Sequence, residues 1–369
     1  MRELDGQDLS DLLYGAAILG TGGGGELAEG FDLIDQAMAA GKRFILADLA
    51  EAPPDALIAT PYLLGAISDL PAVEAALYEG LPQAAIHPIL MAFDRMVEHL
   101  GNPIAGCVPC ELGGSNSAVA FFVAAMRDGV VYDADPAGRA VPEITHSTYF
   151  LAGLPAAPVA LANAFGETFL IEHIQDDRRS EALVRALATI SRHDIAAVDH
   201  VLPANVLSPA ILHGTLSNTL ALGALWRRAR HEPDSLPDML AEAAGGFVAF
   251  RGRVSHAEHQ TVGGFTIGQF TLSGSGDHEG SEYRITLKNE NMAGWHNGKL
   301  HATIPDMICV FDTETGAPVT NPHTQPGQAV AVLILPAPAA FCTAAGLAAF
   351  GPSYIGLASD YAPARPLRA

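Results

Sequence analysis

The chain has 369 residues, 49% of them hydrophobic and 17% charged, so it can bury a large core and is long enough for two domains. Its 41 acidic and 20 basic residues give a formal net charge of −21, which argues against nucleic acid and anionic membranes as partners. The N-terminus has no apolar signal core, charges and prolines interrupt every apolar run, and four cysteines make no disulfide framework, so we expect a cytoplasmic protein.

Helical and strand-like segments alternate through the first part of the chain. A helix is predicted at 9–19, capped by Asp8, and a second at 26–40, after the glycine-rich segment 20–25. Further helices are predicted at 72–79, 89–100, 116–127, 180–190 and 212–228, and strands at 44–47, 56–66, 104–109, 130–132, 169–174 and 196–202. This alternation predicts a three-layer α/β domain with a mostly parallel sheet.

The pattern changes near Gly245. Short alternating segments separated by turn signals predict a small β-barrel domain at 245–335. The tail is helical again near 339–350 and is expected to pack back on the first domain. We therefore predict an α/β domain at 1–244, completed by 336–369, and a β-barrel-like domain at 245–335.

The segment Gly20-Thr-Gly-Gly-Gly-Gly25 fits the dinucleotide fingerprint G-x-G-x-x-G. That fingerprint needs a strand before it, whereas 9–19 has helical spacing, and no lysine follows to complete a P-loop. A loop that binds an anion or substrate therefore ranks first, and a plain helix–helix turn second. A dinucleotide site, with Asp48 as its acidic residue, ranks third.

A second motif joins a strand end to a turn and a helix. The apolar run 104–109 is followed by Glu111, and Gly113 and Gly114 then precede the helix that begins at Asn116. In a parallel sheet this is the carboxyl edge, where ligands bind. Within the same stretch, Cys107 and Cys110 form C-x-x-C without a second pair, and buried packing is the favoured interpretation.

A third motif follows the strand at 130–132 and contains Asp133, Asp135, Arg139, Glu143 and His146. If the two strands are neighbours, Glu111 and Asp135 converge, and paired carboxylates serve acid–base chemistry or bind a hard cation. The planar fork of Arg139 suits a carboxylate. The residue pattern leaves open the alternative that the aspartates cap turns and pair with Arg139.

Taken together, these segments resemble one family. The stretches 17–25, 111–116, 133–143, 289–291 and 305–306 occur in the order found in S-methyl-thiohydantoin desulfurases, formerly a domain of unknown function associated with hydantoinase/oxoprolinase. The resemblance covers nearly the whole chain. It implies an α/β domain followed by a β-barrel, and hydrolytic removal of methanethiol from an S-methyl thiohydantoin. The chain departs from the family pattern at Pro136, where glycine is expected.

We therefore expect a hydrolase of a cyclic amidine or imide, in which water attacks the carbon between the two ring nitrogens. Glu111 and Asp135 are the expected catalytic residues. Substrate binding is assigned to Gly22, Gly23, Gly24, Gly113, Gly114, Asn116, Arg139, Asn289 and Glu290. A divalent metal held by Glu111, Asp135, Glu143 and His146 is a further hypothesis.

Two other functions stay open at this point. One is a non-catalytic partner of a hydantoinase/oxoprolinase. The other is a nucleotide-binding oxidoreductase that uses the loop at 20–25. A small-molecule substrate and a homo-oligomer are expected.

Overall fold

The computed structural model describes residues 1–65, 75–232 and 235–367 of the chain. Part of the helix predicted at 72–79 lies outside these ranges, and a short 3-10 helix, Ala76–Tyr78, lies within the described remainder. None of the helices formed by the described residues combines the length and apolarity that a membrane span requires.

Helices and strands alternate first, and strands then dominate until the tail. The helices are α1 (Gly6–Leu19), α2 (Leu27–Ala39), α3 (Pro88–Leu100), α4 (Asn116–Met126), α5 (Thr148–Leu151), α6 (Asp177–Thr189), α7 (Ala204–Leu207), α8 (Thr215–Ala229), α9 (Leu236–Ala243) and α10 (Ala344–Phe350). The strands are β1 (Arg2–Leu4), β2 (Phe44–Ala47), β3 (Leu57–Gly65), β4 (Gly106–Cys107), β5 (Val130–Tyr132), β6 (Ala134–Asp135), β7 (Val159–Ala162), β8 (Thr168–Ile171), β9 (Asp194–Pro203), β10 (Leu212–His213), β11 (Phe247–Val262), β12 (Phe265–Gly274), β13 (Glu282–Lys288), β14 (Glu290–His296), β15 (Lys299–Thr303), β16 (Met307–Asp312) and β17 (Ala329–Leu335).

The first sheet has the strand order β1-β2-β5-β4-β3-β9-β7-β8. Strands β2, β5, β4 and β3 are mutually parallel. The other neighbours pair antiparallel, so β7 points the same way as β3, and β1, β9 and β8 point the opposite way. Among the described residues, five of the eight strands of this sheet thus run in one direction, and the α/β fold class expected from the sequence is confirmed.

Helices cover both faces of this sheet. Along β9, Ala196 and Val198 join the core formed with α1 to α4, whereas Ile195 and Ala197 join the core formed with α6. Since successive strand side chains point to opposite faces, this alternation places one helical layer on each side. The result is the three-layer arrangement.

Helix α1 begins earlier than the sequence pattern indicated. Asp5 is its N-cap and accepts a hydrogen bond from the Asp8 N–H at 2.8 Å, while the Asp8 carboxylate accepts one from the Asp5 N–H at 3.3 Å. Asp8 is therefore the third residue of the helix and completes a capping box, and its prediction as the cap was wrong.

The second sheet is antiparallel and curls into a half-barrel, with the strand order β15-β14-β13-β12-β11-β17-β16. Its longest strand, β11, has a register shift between Val254 and His256, and such bulges bend a strand. Every second residue along β13, namely Tyr283, Ile285 and Leu287, is buried in the core of this sheet.

The helical tail predicted at 339–350 consists of a 3-10 helix, Ala339–Cys342, followed by α10. Phe341 and Phe350 are fully buried in a cluster with Ile304, and Val141 packs against that cluster. The tail thus contacts both the half-barrel and the segment after β6.

Candidate active site

A cavity of about 290 Å³ lies where the glycine-rich segment, the end of β3, the segment after β4 and the β13–β14 connection meet. Among the residues predicted for the site, those on its wall are Gly23, Gly24, Glu111, Asn116, Glu143, Asn289 and Glu290. The described residues that line it do not include Gly22, Gly113, Gly114, Asp135, Arg139 and His146. About half of the residues predicted for the site therefore line one cavity.

Glu111 is buried on the cavity wall and held at both carboxylate oxygens. Its Oε1 accepts a hydrogen bond from Asn116 Nδ2 at 2.7 Å, and its Oε2 accepts one from the Val141 N–H at 2.7 Å. Asn116 is oriented in turn, because its Oδ1 accepts the Leu63 N–H at 3.0 Å. Burial raises the pKa of Glu111 to about 7, against the opposing effect of these hydrogen bonds. Glu111 can therefore exchange a proton near neutral pH.

Glu290 reaches the same cavity from the half-barrel. Burial, followed by the charge of Glu111, raises the pKa of Glu290 well above its usual value. Within the described part of the chain its Oε2 has no hydrogen-bond partner. A Cβ on Gly23 would lie 2.0 Å from Glu290 Oε1, so only glycine lets this carboxyl group approach the loop so closely. The cavity thus contains two interacting carboxyl groups, and burial favours the protonated form of each.

Asp199 and His200 form a second polar group on the wall. His200 Nδ1 lies 2.8 Å from Asp199 Oδ1, and Asp199 Oδ2 accepts a hydrogen bond from the Tyr62 hydroxyl at 2.9 Å. The Tyr149 ring stacks on the imidazole, with centroids 4.4 Å apart. Tyr62 and Tyr149 also line the cavity.

The glycine-rich segment packs tightly against protein groups. Gly22 and Gly24 have φ values of +92° and +77°, which favour glycine. A Cβ on Gly24 would lie 2.4 Å from the Gly113 Cα, and one on Gly22 would lie 2.5 Å from Asn321 Nδ2. The loop follows helix α1 rather than a strand, so it lacks the strand that a dinucleotide fingerprint requires.

Backbone amides around the Gly113–Gly114 turn, including that of Gly113, have protein partners. The Gly24 carbonyl accepts the N–H groups of Ser115 and Asn116 at 3.1 and 3.2 Å. The Gly113 N–H donates to Ser117 Oγ at 3.1 Å. These bonds satisfy the start of α4 internally and fix the Gly113–Gly114 turn against the glycine-rich segment. The two turns therefore build the wall that carries Glu111 and Asn116.

Asp135 stabilises a turn beside the cavity. Its Oδ1 accepts the N–H groups of Ala137 and Gly138 at 2.8 and 2.6 Å. Burial raises the pKa of Asp135 to about 6. Its neighbour Asp133 binds the first turn of α8, where its Oδ1 accepts the N–H groups of Leu216 and Ser217 at 2.9 and 3.0 Å. The capping part of the alternative left open by the sequence agrees with these hydrogen bonds, but the ion pairs found among the described residues do not join Arg139 to either aspartate.

Arg139 is fully buried between the glycine-rich segment and the β15–β16 turn. Its Nη1 donates to the carbonyl oxygens of Pro305 and Asp306 at 2.7 and 3.0 Å, and its Nη2 donates to Thr21 Oγ1 at 3.1 Å. Its Nε donates to the Ala140 carbonyl at 3.0 Å. The guanidinium thus links the glycine-rich segment to the β15–β16 turn and does not present the carboxylate clamp that its sequence context predicted.

The predicted metal ligands are dispersed. The Glu143 carboxylate accepts hydrogen bonds from Lys288 Nζ and the Tyr354 hydroxyl, both at 2.6 Å. His146 is buried against Phe350 and Tyr354, and burial lowers its pKa to about 3. In the ranges that the structure describes, no three His, Cys, Asp or Glu side chains are grouped to hold a metal ion. The residues present do not fit the metal hypothesis.

The two cysteines of the C-x-x-C motif differ. Cys107 is buried in the core of the first sheet, as the packing interpretation predicts. Cys110 lies half-buried on the cavity wall. Burial and the charges of Glu111 and Asp199 raise the pKa of its thiol well above the usual value, so it is not poised as a thiolate.

Two family models match the chain: the S-Me-THD-like N-terminal domain over residues 7–173 and the S-Me-THD-like C-terminal domain over residues 175–364. The chain belongs to the S-Me-THD-like family. This confirms the resemblance to S-methyl-thiohydantoin desulfurases that the motifs indicated. Both matched regions of this S-Me-THD-like protein contribute to the cavity, Glu111 from the first and Asp199, His200 and Glu290 from the second.

A crystal structure of a protein from Chromobacterium violaceum is similar to this S-Me-THD-like chain, with a TM-score of 0.73 and 24% sequence identity. The alignment covers 98% of this chain and 100% of the other, which shows a shared fold. No curated protein matches the chain.

Sequence reasoning missed Asp199 and His200 in this S-Me-THD-like chain. They lie in the segment Ala-Ala-Val-Asp-His-Val-Leu of β9, which was predicted only as a strand. Two adjacent polar residues in an otherwise apolar strand are the signal that marks them, since buried polar side chains need partners.

Proposed function

We propose that this protein is a hydrolase of S-methyl thiohydantoins or closely related cyclic amidines. The observation that carries the proposal is Glu111, a buried carboxyl group with a pKa of about 7, fixed by Asn116 and Val141 on the wall of the cavity. A general base is most effective when its pKa is close to the working pH. A cavity of about 290 Å³ suits a five-membered ring with a short side chain.

In the proposed reaction, Glu111 accepts a proton from a water molecule as the water oxygen attacks the ring carbon between the two nitrogens. The π-electron pair of the C=N bond moves to the ring nitrogen, which takes up the proton from Glu111. The adduct carries a hydroxyl and an S-methyl group on one carbon. Its collapse forms the C=O bond and releases methanethiol, leaving a hydantoin.

Glu290 supports the same step in its protonated form. Burial and the charge of Glu111 raise the pKa of Glu290 well above its usual value, which favours the neutral form of Glu290 beside an ionised Glu111. A neutral carboxyl group on a cavity wall can donate a hydrogen bond to the ring oxygen or nitrogen where negative charge develops. The two carboxyl groups thereby have different roles, base and hydrogen-bond donor.

The test is thiol release from S-methyl thiohydantoins, measured with a thiol-reactive dye, together with the mass of the hydantoin product. Glu111→Gln is expected to lower kcat/KM by on the order of 10²–10⁴-fold, the usual contribution of a general base. Glu26→Gln is the matched control, because Glu26 also lines the cavity but its carboxylate binds His323 at 2.7 Å. We expect the control to stay within a few-fold of wild type.

Full activity in Glu111→Gln would remove this residue from the mechanism. Absence of thiol release by the wild-type protein from every S-methyl thiohydantoin tried would overturn the hydrolase. Turnover that appears only with a copurifying hydantoinase/oxoprolinase would favour the non-catalytic partner instead.

A further inference from the structure

We propose that His200, oriented by Asp199, carries the proton that the departing thiolate takes up when the C–S bond breaks. This inference rests on the proposed function and assigns the leaving-group step to a residue pair that the sequence motifs do not contain. Glu111 and His200 then divide the proton transfers between the attacking water and the departing sulfur.

Hydrogen bonds fix the imidazole in one orientation. Asp199 and His200 are both buried, and His200 Nδ1 lies 2.8 Å from Asp199 Oδ1. Because a carboxylate only accepts hydrogen bonds, the Nδ1–H donates to Asp199. Asp199 cannot turn away, because its Oδ2 accepts the Tyr62 hydroxyl. With Nδ1 donating, Nε2 carries the lone pair that accepts a proton.

The backbone brings these two neighbouring side chains to one cavity. In a regular strand, consecutive residues point to opposite faces, and Asp199 and His200 would be separated by the sheet. The β3–β9 pairing shifts register here: Thr60 pairs with Asp199 but Ile58 pairs with Leu202. His200 has a φ of +39°, which is rare for a residue with a side chain. The bulge redirects His200, and both residues line the cavity.

His200 Nε2 is buried and, within the part of the chain that the structure describes, has no hydrogen-bond partner. A buried polar atom without a partner is costly, and strained backbone is retained where function requires it. Tyr149 stacks on the ring, and its hydroxyl lies 3.2 Å from Thr60 Oγ1. The imidazole of this cavity-lining residue is therefore held in place, and its second nitrogen is left without a partner among the described residues.

The proton balance closes with these two residues. One proton of the water passes through Glu111 to the ring nitrogen, as described above. The other remains on the hydroxyl of the adduct. His200 Nε2 takes this proton as the oxygen lone pair forms the C=O bond, and the C–S electron pair goes to sulfur. The imidazolium, stabilised by Asp199, then gives the proton to sulfur, so methanethiol leaves and His200 returns to its neutral form.

The experiment compares two leaving groups. A methanethiolate is basic and needs a proton as it departs, whereas a 4-nitrobenzenethiolate is weakly basic and leaves without one. For His200→Gln we expect kcat/KM to fall by on the order of 10²–10³-fold with the S-methyl substrate, the usual share of a general acid. With the S-(4-nitrophenyl) substrate the loss should be less than about tenfold. His213→Gln is the control and is expected to leave both rates unchanged, because His213 is exposed and its Nε2 contacts the Ser208 carbonyl oxygen.

Asp199→Asn provides a second variant, with thermal denaturation as the folding check. Asp199 acts as a positioning residue, so its loss should lower kcat on the S-methyl substrate, leave KM within a few-fold, and show the same leaving-group dependence. Equal losses on both substrates, or no loss, would overturn the leaving-group role of His200 while leaving the hydrolase intact. Absence of wild-type turnover on both substrates would instead overturn the proposed function.

Discussion

The buried carboxyl groups Glu111 and Glu290 approach the same cavity from opposite parts of the chain, and each meets a different environment. Glu111 accepts two hydrogen bonds, which favour its ionised form, whereas Glu290 Oε2 has no partner among the described residues. Two chemically identical side chains thus differ in the hydrogen bonds that stabilise their ionised forms.

The pH dependence of activity follows from Glu111. Only its ionised form accepts a proton, and its pKa is raised to about 7 by burial. The logarithm of kcat/KM should therefore rise with pH with a slope of about 1 below pH 7 and level off above it. The measurement is a pH–rate profile of thiol release. In Glu111→Gln the residual rate should lose this rise, and an unchanged profile would assign the titration to another group.

Gly23→Ala tests the close approach of Glu290 to the loop. The new Cβ would lie 2.0 Å from Glu290 Oε1 and displace the carboxyl group, so we expect the free energy of unfolding to fall by about 1–3 kcal/mol and kcat/KM to fall as well. Gly6→Ala is the control, because the nearest atom to its Cβ is 3.7 Å away.

Urea denaturation of Gly23→Ala, Glu290→Ala and the double variant completes the measurement. The double variant should recover most of the stability lost by Gly23→Ala, since the clashing atoms are gone. Additive losses in the double variant would show that Gly23 acts by some route other than Glu290.

At the scale of elements, the position of the glycine-rich segment depends on how closely α1 and α8 pack. A Cβ on Gly15 of α1 would lie 1.9 Å from the Thr219 carbonyl oxygen, and one on Gly223 of α8 would lie 1.7 Å from the Asp11 carbonyl oxygen. The helices therefore meet backbone to backbone through two glycines. Since α1 leads directly into the segment at 20–25, this contact also holds one wall of the cavity in place.

Gly223→Ala should separate the two helices, because the clashing atom is backbone and cannot rotate away. We expect the free energy of unfolding to fall by about 3 kcal/mol, at the upper end of overpacking effects. Asn218→Ala, on the exposed face of α8, should change it by less than about 0.5 kcal/mol. Urea denaturation of both variants checks this, and equal stabilities would contradict the tight helix contact.

The sequence predicted most elements well, because hydrophobic periodicity and caps are local signals. The strand at 44–47 is found as predicted, and the helix predicted at 116–127 ends one residue earlier. The functions of Arg139 and His200 could not be predicted in this way. The Arg139 guanidinium donates hydrogen bonds to the carbonyl groups of Pro305 and Asp306, which lie more than 160 residues away in the chain. The bulge that redirects His200 depends on the register between β9 and β3.

At the scale of the whole molecule, the excess of acidic residues extends into the cavity. Of the described residues on its wall, eight are Asp or Glu and one, Arg185, is basic. Arg185 already binds Glu181 at 2.6 Å and the Gly264 carbonyl at 2.7 Å. A molecule with a net charge of −21 and such a wall attracts cations to its cavity and repels anions.

Substrates with different side-chain charges test whether the acidic residues favour cations in the cavity. A thiohydantoin with a cationic side chain should have a lower KM than its neutral isostere, and one with a carboxylate side chain a higher KM. The differences should shrink as salt increases from about 0.01 to 0.15 M, because exposed charges are screened over shorter distances. A lower KM for the carboxylate substrate would show that a local cation outweighs the overall charge.

Strand β9 has a consequence for how the molecule can be divided. It belongs to the region matched by the C-terminal family model, yet it pairs between β3 and β7 of the region matched by the N-terminal one. A cut at residue 174 would remove an interior strand from the first sheet and leave two unpaired edges facing each other. The division into 1–244 with 336–369 and 245–335 keeps that strand in place, and it stays a prediction. The boundary between the two family models therefore differs from a boundary that would keep every strand of the first sheet in one piece.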